Sequence, residues 1–448
     1  MRSRRLTWII GAVALGGAAG PAAAAWLPPQ RASVGPLTTA TPQVAINDRG
    51  EAAIAWVRGG PSPRMIVISF RQADGSWSRP EGISRRRAIS VDPRVAIGPD
   101  GRVVVVWREA VRRRQVRVGG RRVTQNVYVV KARERRAGRW GRSRALSSAR
   151  QKVGAPDVGI DSRGIAVVAW HWGTGTRPTD RGYVGEVQVS ESQPGRPWTS
   201  PRRLSRSRLC VSVGSPRVAV GAQGHAVVWW QCNQSGGASA ALAATRVPGG
   251  TFSREQGLPF RAEGPLTADL SVSAGGDAVA VSVDGDRLRW WRGPVSSAGL
   301  DLDELPSLAS GERIGSDPSP SIAVSSSGDA ASIWIDAQGR VRGASIAAAL
   351  GVSEPATLAP GQGAASGASI VLGDSRRAAA AWLDSTGAYG ATRGTEGRMG
   401  PPDAISTPGR VPSSAPVIAM NAAGVGIAAW TAPGGRRQVI ERADFTAP

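Results

Sequence analysis

The chain has 448 residues, of which 41% are hydrophobic, and its formal net charge is +23 at pH 7. This hydrophobic content can build a core, which excludes a chain that is disordered along its length. The chain has 58 glycines and 32 prolines, spread between apolar runs, and no long amphipathic pattern of helical period. The composition therefore favours an all-β fold with many turns.

The first 25 residues have the pattern of a secretory signal peptide. Three arginines among the first five residues form a basic start, Leu6 to Gly17 is apolar, and Ala23 to Ala25 offers small residues for cleavage. An uncleaved membrane anchor is the alternative, although this Gly- and Ala-rich run is weakly hydrophobic for a span. We predict a signal peptide over 1–25 and a protein that is secreted or associated with the cell envelope. Cleavage of the signal would leave no membrane span.

A 13-residue pattern occurs eight times, from Val44–Trp56 to Ile418–Trp430. It consists of an alternating apolar run, a turn, and a second apolar run that ends in Trp in seven copies. The turns lie near residues 50, 101, 164, 224, 276, 328, 376 and 424. Such a period predicts one hairpin per repeat, as in the blades of a β-propeller. The second runs are apolar at successive positions, so both of their faces must be covered by neighbouring blades.

Two further strands follow the hairpin. A third strand is predicted at Met65 to Phe70, Val127 to Ala132 and Val184 to Val189. A fourth begins at an aromatic residue that is followed seven positions later by Ser, and in one copy Met replaces the aromatic residue. These pairs are Trp77/Ser84, Trp140/Ser147, Trp198/Ser205 and Met399/Ser406. Four antiparallel strands per repeat complete a propeller blade.

The segment after the signal peptide carries the fourth-strand pattern with no repeat before it. Trp26 and Ser33 have the seven-residue spacing, whereas the last repeat contains three predicted strands and no fourth. We therefore predict that residues 26–33 complete the C-terminal blade, which closes the ring and protects its edges. The predicted fold is one all-β domain over 26–448, an eight-bladed β-propeller with four-stranded antiparallel blades. A seven-bladed ring with the divergent fifth repeat outside it is the alternative.

The two cysteines flank one predicted hairpin. Cys210 precedes the first strand of the fourth repeat, and Cys232 follows the Trp that ends its second strand. If these strands pair, both cysteines lie at the open end of the hairpin, so we predict a disulfide. The chain has two histidines, His171 and His225, and their spacing forms no zinc pattern. We predict no metal site and no cofactor.

The positive charge is concentrated in the first half of the chain. Residues 26–224 contain 36 Lys and Arg against 13 Asp and Glu, whereas residues 225–448 contain 17 against 20. In a propeller, the connections between blades and those between second and third strands emerge on one face. We therefore predict a basic face on blades one to four that binds anionic partners. Its candidate residues are Arg85, Arg86, Arg87, Arg112, Arg113, Arg114, Arg121 and Arg122, with a further group at Arg202, Arg203, Arg206 and Arg208.

Trp172 is predicted to lie on the same face. It follows the second strand of the third repeat and precedes a polar run. We expect its ring to extend the core of that strand, with stacking on a sugar ring as the alternative, for which it is a candidate ligand-binding residue.

The repeated hairpins and the Gly-aromatic turn before the fourth strand resemble the secreted bacterial β-propellers related to sialidases. Blades of that superfamily carry Asp-box turns with the pattern Ser-x-Asp-x-Gly-x-x-Trp. Asp74-Gly75-Ser76-Trp77 is the nearest approach but lacks the Ser and the spacing. The resemblance covers most of the chain at the level of architecture, and it implies a Tyr nucleophile activated by a Glu. None of the three tyrosines (Tyr128, Tyr183 and Tyr389) can be paired with a Glu from the sequence.

We therefore predict an exported, non-catalytic propeller that acts as a binding or scaffolding module, with no catalytic residues. Its expected partner at the basic face is an anionic polysaccharide, a cell-wall polymer or a protein. Nucleic acid is not expected as a physiological partner outside the cell, and we expect a monomer. The alternative is a sialidase-like, glycan-cleaving hydrolase with its site in the central depression of the ring; a shared fold alone does not decide between the two.

Overall fold

The computed structural model describes residues 25–33, 42–60, 62–149, 152–173, 185–206, 210–307, 313–315, 319–347, 351–359, 365–395, 397–435 and 437–448. The predicted signal peptide, apart from residue 25, lies outside the described residues. The described residues form eight antiparallel sheets, each of four or five strands.

The strands are given in chain order. β1 (Ala25–Trp26) and β2 (Gln30–Arg31) precede blade one, which comprises β3 (Gln43–Ile46), β4 (Ala52–Gly59), β5 (Arg64–Arg71) and β6 (Glu81–Gly82). Blade two comprises β7 (Ser90–Ile97), β8 (Val103–Val118), β9 (Arg121–Arg136), β10 (Arg139–Trp140) and β11 (Arg144–Ala145). Blade three comprises β12 (Lys152–Val153), β13 (Asp157–Ile160), β14 (Ala166–Gly173), β15 (Gly185–Ser192) and β16 (Arg202–Arg203). Blade four comprises β17 (Cys210–Val213), β18 (Arg217–Val220), β19 (Ala226–Gln234), β20 (Ser239–Arg246) and β21 (Gln256–Ala262).

The second half continues in the same way. Blade five comprises β22 (Ala268–Val272), β23 (Asp277–Asp284), β24 (Arg287–Pro294) and β25 (Asp303–Glu304). Blade six comprises β26 (Ser321–Val324), β27 (Ala330–Ile335), β28 (Val341–Ala347), β29 (Gly351–Val352) and β30 (Ala356–Ala359). Blade seven comprises β31 (Ser366–Leu372), β32 (Ala378–Leu383), β33 (Ala388–Arg393) and β34 (Asp403–Ala404), and blade eight contains β35 (Val417–Met420), β36 (Val425–Pro433) and β37 (Gln438–Thr446).

Within each blade the strands pair in chain order, from an inner first strand to an outer fourth strand. Five-stranded sheets arise where the first or the fourth strand is divided into two short pieces. The inner strands β3, β7, β13, β18, β22, β26, β31 and β35 contact one another in turn, and β35 contacts β3. The fold is therefore the predicted eight-bladed ring, and the seven-bladed alternative is wrong because the fifth repeat supplies a blade within it.

The ring is closed by the N-terminal segment, as predicted. β1 and β2 pair with β37, which places Trp26 opposite Phe445 and their ring centroids 4.3 Å apart. The backbone N–H of Ala32 donates to the Ile440 carbonyl at 2.8 Å, and the Ile440 N–H donates to Ser33 Oγ at 2.9 Å. Both chain ends thus share the sheet of blade eight.

The Ser of each predicted fourth-strand pattern has one structural role. Its hydroxyl accepts a hydrogen bond from a third-strand N–H at the point where the fourth strand turns away. The bonds are Ile66 N to Ser84 Oγ (2.9 Å), Val130 N to Ser147 Oγ (2.8 Å), Val187 N to Ser205 Oγ (2.8 Å) and Ala388 N to Ser406 Oγ (3.0 Å). Since a buried N–H without an acceptor is costly, the hydroxyl holds the outer strand in place.

Tryptophans at the ends of the second strands fill the spaces between blades. All seven are 0–1% exposed: Trp56, Trp107, Trp170, Trp230, Trp334, Trp382 and Trp430. In the fifth repeat, Ser282 occupies this position, and Trp291 of the third strand packs at the interface with blade four, where its indole Nε1 donates to Ser282 Oγ at 2.9 Å. Trp26 and Trp140 end the short outer strands β1 and β10, and Trp77 and Trp198 precede the fourth strands β6 and β16. Burial of each indole contributes several kcal/mol, roughly 200 Å² at ~25 cal/mol/Å².

A disulfide joins Cys210 on β17 to Cys232 on β19. The two cysteines are separated by 22 residues in the sequence. β17 and β19 pair in an antiparallel manner, with Val213 opposite Cys232, so the bond lies at the open end of this hairpin. It links the segment that enters blade four to the second strand of the same blade.

Candidate functional site

A long hairpin extends from blade two. β8 and β9 have 16 residues each, whereas the second and third strands of the other blades have six to nine. Beyond the blade they pair as far as Val118 opposite Arg121, and Gly119 and Gly120 form the turn with φ of 56° and 80°. Glycine suits such a turn because it adopts positive φ without steric cost. At ~3.3 Å per residue, the eight extra residues of β8 reach roughly 25 Å beyond the blade.

We call residues 111–126 of this hairpin the arm. Arg112, Arg113, Arg114, Arg121 and Arg122, together with Arg117, belong to it, so the prediction that they lie in a connecting loop is wrong. Alternating valines at 116, 118 and 123 and the Gly-Gly turn favour a strand here, although the run is rich in arginine. The arm therefore presents its arginines on a regular backbone.

The arm is strongly basic and its charge is unpaired. The sequence contains no Asp or Glu between Glu109 and Glu134. Five of the six arginines are exposed, and Arg114 is half-buried. None of the six forms an ion pair with a carboxylate of the described residues, and Arg112 donates to a backbone carbonyl, that of Ala149, at 3.1 Å. The positive field of the arm is thus open to a partner.

Register places like charges opposite one another within the arm. Arg117 is directly opposite Arg122. Like charges in this arrangement destabilise a hairpin. Two positions closer to the blade, Gln115 lies opposite Thr124, and this pair is favourable because Gln115 Nε2 donates to Thr124 Oγ1 at 2.9 Å. A bound anion would relieve the repulsion, so the arrangement favours an anionic partner over an empty surface.

Arg85, Arg86 and Arg87 lie in the connection between β6 and β7, beside the base of the arm. The N–H of Ala110 donates to the carbonyl of Ile89 at 2.9 Å, which joins this connection to β8. Arg85 Nε lies 3.7 Å from Oε1 of Glu109, a carboxylate whose side chain is 1% exposed. Arg86 and Arg87 are exposed. The structure therefore brings this loop and the arm to one face.

The third basic group does not join them. Arg202 and Arg203 form the fourth strand β16, not a connection, which corrects the prediction. Arg202 donates to the Phe252 carbonyl at 2.6 Å, and Arg203 pairs with Glu186 at 2.8 Å. Arg206 is exposed, and Arg208 lies outside the described residues. Within this group, the charge of Arg203 is compensated by Glu186, whereas Arg202 has a backbone acceptor.

A cleft of about 310 Å³ lies where the base of the arm meets blade three. The Arg108 guanidinium is 5.1 Å from the centre of the Tyr128 ring, and it also pairs with Asp92. Arg114 and Lys152 have no ion pair with a described carboxylate. The cleft is lined by Arg108, Arg114, Gln125, Asn126, Val127, Tyr128, Lys152 and Val153. Amides, a phenol and two uncompensated cations suit an oxygen-rich anionic ligand.

Trp172 lies next to the cleft and not in its wall. On β14 it is opposite Val153, which does line the cleft. The indole is half-buried and packs with Tyr128 against the core between blades two and three. This placement agrees with the expected extension of the core. Tyr183 and the polar run after Trp172 lie outside the described residues.

His171, beside Trp172, is uncharged at neutral pH. Burial, together with the smaller effect of the nearby Arg108, lowers the pKa of its imidazole from 6.5 to about 4. The positive charge at this edge of the cleft therefore comes from Arg and Lys side chains.

Polar side chains also lie on the first strands, which form the inner part of the ring. Asp157 Oδ1 lies 3.5 Å from Arg94 Nε, and its Oδ2 accepts from the Val218 N–H at 2.9 Å. Asp269 accepts from the Ile322 N–H at 3.0 Å. Burial raises the pKa of both carboxyls, and Arg217 opposes the rise at each. Asp157 thus links blade three to blades two and four, and Asp269 links blade five to blade six.

The tyrosines considered for catalysis have other partners. Asn126 Nδ2 lies 3.5 Å from the hydroxyl of Tyr128. The hydroxyl of Tyr389 lies 2.8 Å from Thr386 Oγ1, and its ring stacks on Trp382. Among the described residues, neither hydroxyl has a hydrogen bond to a carboxylate.

Within the described parts of the chain, no group of three or more His, Cys, Asp and Glu is placed to hold a metal ion. No helix in those same parts is long and apolar enough to cross a membrane.

Four polar residues of the cleft were not identified from the sequence: Arg108, Gln125, Asn126 and Lys152. Gln125 and Asn126 continue the strand alternation from the turn of the arm, so recognition of the long hairpin would have found them. Lys152 comes from the next blade through β12, and only the packing of the blades brings it to the cleft.

No protein-family model matches the chain, and no curated protein matches it in sequence. Among solved structures, it is similar to the BP39L lectin from Burkholderia pseudomallei, with a TM-score of 0.52, 15% identity, and coverage of 82% of this chain and 99% of the lectin. It is also similar to a protein of unknown function from Dyadobacter fermentans, with a TM-score of 0.44, 11% identity, and coverage of 95% of this chain and 99% of that one. A leech intramolecular trans-sialidase has a TM-score of 0.41 and 9% identity, and the match covers 77% of this chain and 64% of that enzyme. The chain is a β-propeller whose structural neighbours include both a lectin and an enzyme, so these likenesses leave its activity open.

Proposed function

We propose that this protein is an exported, non-catalytic propeller that binds an acidic polysaccharide along the arm, with one acidic sugar residue in the adjoining cleft. The observation that carries the proposal is the arm itself. Six arginines lie on a regular hairpin that contains no carboxylate, and none of them pairs with a described carboxylate. The propeller supplies the rigid base that holds this hairpin.

The spacing of the arginines suits a repeating anion. Side chains two residues apart lie on the same face of a strand and are roughly 6.6 Å apart. Arg112 and Arg114 share one face of β8, and Arg113 and Arg117 share the other. A linear polymer that carries one charge per sugar or disaccharide can follow such a row. A compact ligand would contact only one or two of these residues.

Binding of this kind depends on many weak contacts. A single exposed ion pair contributes about 0.2–1 kcal/mol and is screened by salt. Six arginines acting together, with Arg86 and Arg87 beside them, supply the remaining affinity through their summed field. The cleft adds contacts that are less exposed, through Arg114, Lys152 and the amides. We therefore expect affinity that falls steeply as salt is added.

A non-catalytic role is supported by what surrounds the tyrosines. A sialidase-like mechanism needs a carboxylate to activate the tyrosine, whereas Tyr128 adjoins Arg108 and Asn126. Tyr389, in blade seven, contacts Thr386 of the same blade. We propose ligand binding without bond cleavage. Turnover of a chromogenic glycoside that is lost in Tyr128→Phe or Tyr389→Phe would establish the hydrolase instead.

The proposal is tested by binding to polygalacturonate, dextran sulfate and neutral dextran over a range of salt concentrations. The test variant is Arg112→Ser/Arg113→Ser/Arg114→Ser. The control is Arg139→Ser/Arg142→Ser/Arg144→Ser, which removes the same charge from exposed positions on the outer strands of blade two. We expect the test variant to bind the two polyanions at least tenfold more weakly, with a shallower salt dependence. The control should resemble the wild type, and dextran should bind to none of them.

Equal losses in the test variant and the control would mean that net charge, and not the arm, determines binding. Failure of the wild type to bind either polyanion would overturn the proposal. Preference for polygalacturonate over dextran sulfate would show that the cleft recognises a carboxylate; the reverse preference would show that it recognises a sulfate.

A further inference from the structure

A buried or half-buried arginine recurs at the end of the third strand in several blades. Arg71, Arg246 and Arg393 each lie opposite the first residue of the second strand of their blade. Each guanidinium donates to the carbonyl of the positive-φ residue in the inner turn of the same blade. The acceptors are Gly50 at 2.8 Å, Gly224 at 3.2 Å and Arg376 at 2.7 Å.

Each of these arginines faces the same position on the third strand of the preceding blade. The residue at that position differs from one interface to the next. Arg71 lies 3.6 Å from Asp444 of blade eight, and Arg246 forms an ion pair with Glu191 of blade three. In blade two the corresponding Arg135 lies over the Phe70 ring, 4.3 Å from its centre. Each of these guanidinium groups therefore meets a carboxylate or an aromatic face.

Between blades six and seven this partner is missing. The position of Asp444 and Glu191 is occupied by Ser345, whose Oγ accepts from Arg393 Nη1 at 2.9 Å. Arg393 is 6% exposed and forms no ion pair with any described carboxylate. Burial lowers the pKa of its guanidinium, and Asp329 opposes this from outside ion-pair distance. A buried cation without a close anion is costly, so the site favours an added negative charge.

A cavity of about 480 Å³ opens at this same interface. Its walls include Ser345, Thr357, Leu358, Arg393 and Met399, while Glu354 and Arg398 lie at exposed positions of its lining. Small-molecule sites occupy roughly 300–1,000 Å³, so the volume suits a compact ligand. A ligand in this cavity would meet the Arg393 guanidinium and the Ser345 hydroxyl as polar groups, and Leu358 and Met399 as apolar ones.

We propose that this cavity binds a small monocarboxylate, whose carboxylate pairs with Arg393 in the position that Asp444 and Glu191 occupy at the other interfaces. The body of the ligand packs on Leu358 and Met399. Glu354 disfavours a second negative charge on it. This site belongs to the near-neutral half of the chain and is independent of the arm.

The experiment measures binding of D-glucuronate and benzoate, with D-glucose and benzamide as their neutral counterparts, by calorimetry and by ligand NMR. We expect at least one of the two acids to bind the wild type, and neither neutral compound to do so. Arg393→Gln should weaken that binding at least tenfold, whereas the arm variant Arg112→Ser/Arg113→Ser/Arg114→Ser should retain it.

The sharpest variant is Ser345→Glu, which restores the carboxylate found at the equivalent position of blade three. We expect it to melt at a higher temperature than the neutral control Ser345→Gln, because its carboxylate pairs with Arg393, and to lose binding of the acid. The inference is overturned if neither acid binds the wild type, or if Ser345→Glu binds as tightly as the wild type does. If the arm variant loses polyanion binding and still binds the acid, the failure or success of the arm proposal has no bearing on this site.

Discussion

Removal of residues 26–33 tests the closure of the ring. In the intact chain, the N–H groups of Leu27, Ala32 and Ser33 donate to carbonyls of β37, and Ser33 Oγ accepts from Ile440. At ~1 kcal/mol net for each of these four bonds, and about 1 kcal/mol for the contact between Trp26 and its aromatic partner, the segment contributes roughly 5 kcal/mol. A domain is commonly stable by only about 5–15 kcal/mol, so this loss is a large fraction of the total.

The assay compares thermal unfolding of residues 26–448 with that of residues 34–448. We expect the shorter chain to melt roughly 5–10 °C lower, given the small shift per kcal/mol of a chain of this size. Its exposed β37 edge should also promote self-association, which light scattering after gel filtration detects.

A peptide of residues 26–33 added to the shorter chain should restore the melting temperature, since it can pair with β37 as an added strand. The same peptide with Ser33→Ala should restore less, because the Ile440 N–H would then lack its acceptor. Equal melting temperatures for the two chains, without any peptide, would refute the closure.

Three further perturbations follow from single positions. Arg376 (φ of 63°) occupies the position in the inner turn of blade seven that Gly50 (φ of 76°) occupies in blade one, and this backbone conformation favours glycine. Arg376→Gly should therefore raise the free energy of unfolding by about 1 kcal/mol in urea titrations, and Gly50→Arg should lower it by a similar amount. Replacement of both Cys210 and Cys232 by Ser should lower the free energy of unfolding by roughly 3 kcal/mol on the chain-entropy model. Calorimetry that shows no loss of stability would contradict a stabilising role for the disulfide. The pKa of His171 is about 4 in the folded protein, against 6.5 when it is unperturbed. The neutral imidazole therefore contributes its full stability above pH 6.5, and about 3 kcal/mol is lost as the pH falls towards 4. The melting temperature of His171→Gln should fall less than that of the wild type over this range, and parallel curves for the two proteins would argue against the shift.

The ring could be predicted because its chemistry repeats. In most repeats an indole fills the space between two blades, and a serine hydroxyl accepts from a third-strand N–H. Because Trp26/Ser33 has the same spacing as Trp77/Ser84, the sequence predicts that the N-terminal segment is the strand that closes the ring. The fifth repeat diverges because Ser282 replaces the indole, yet Trp291 of the adjacent strand packs on the same side of the blade and donates to Ser282 Oγ. The blade forms because an indole still packs against blade four, although it comes from the third strand and not from the second.

The arm and the cleft were harder to foresee. A run of arginines resembles a solvated loop by composition, and the strand signal depends on three valines and a Gly-Gly turn within it. The cleft depends on how two blades meet, which brings Lys152 to Arg114 across residues that share no local pattern. The cavity at Arg393 becomes apparent only when equivalent interfaces are compared, since Ser345 is unremarkable until Glu191 and Asp444 are placed beside it.

The central claim is that the arm binds an acidic polysaccharide, and excision of the arm tests it most directly. Residues 111–127 are replaced by Asn-Gly between Ala110 and Tyr128, which face each other in register and can be joined by a two-residue turn. The measurement is the dissociation constant for polygalacturonate at low salt, with thermal unfolding as a check on the fold. We expect the shortened protein to keep its melting temperature to within a few degrees and to lose at least tenfold in affinity. A folded, shortened protein that binds polygalacturonate as tightly as the wild type would contradict it.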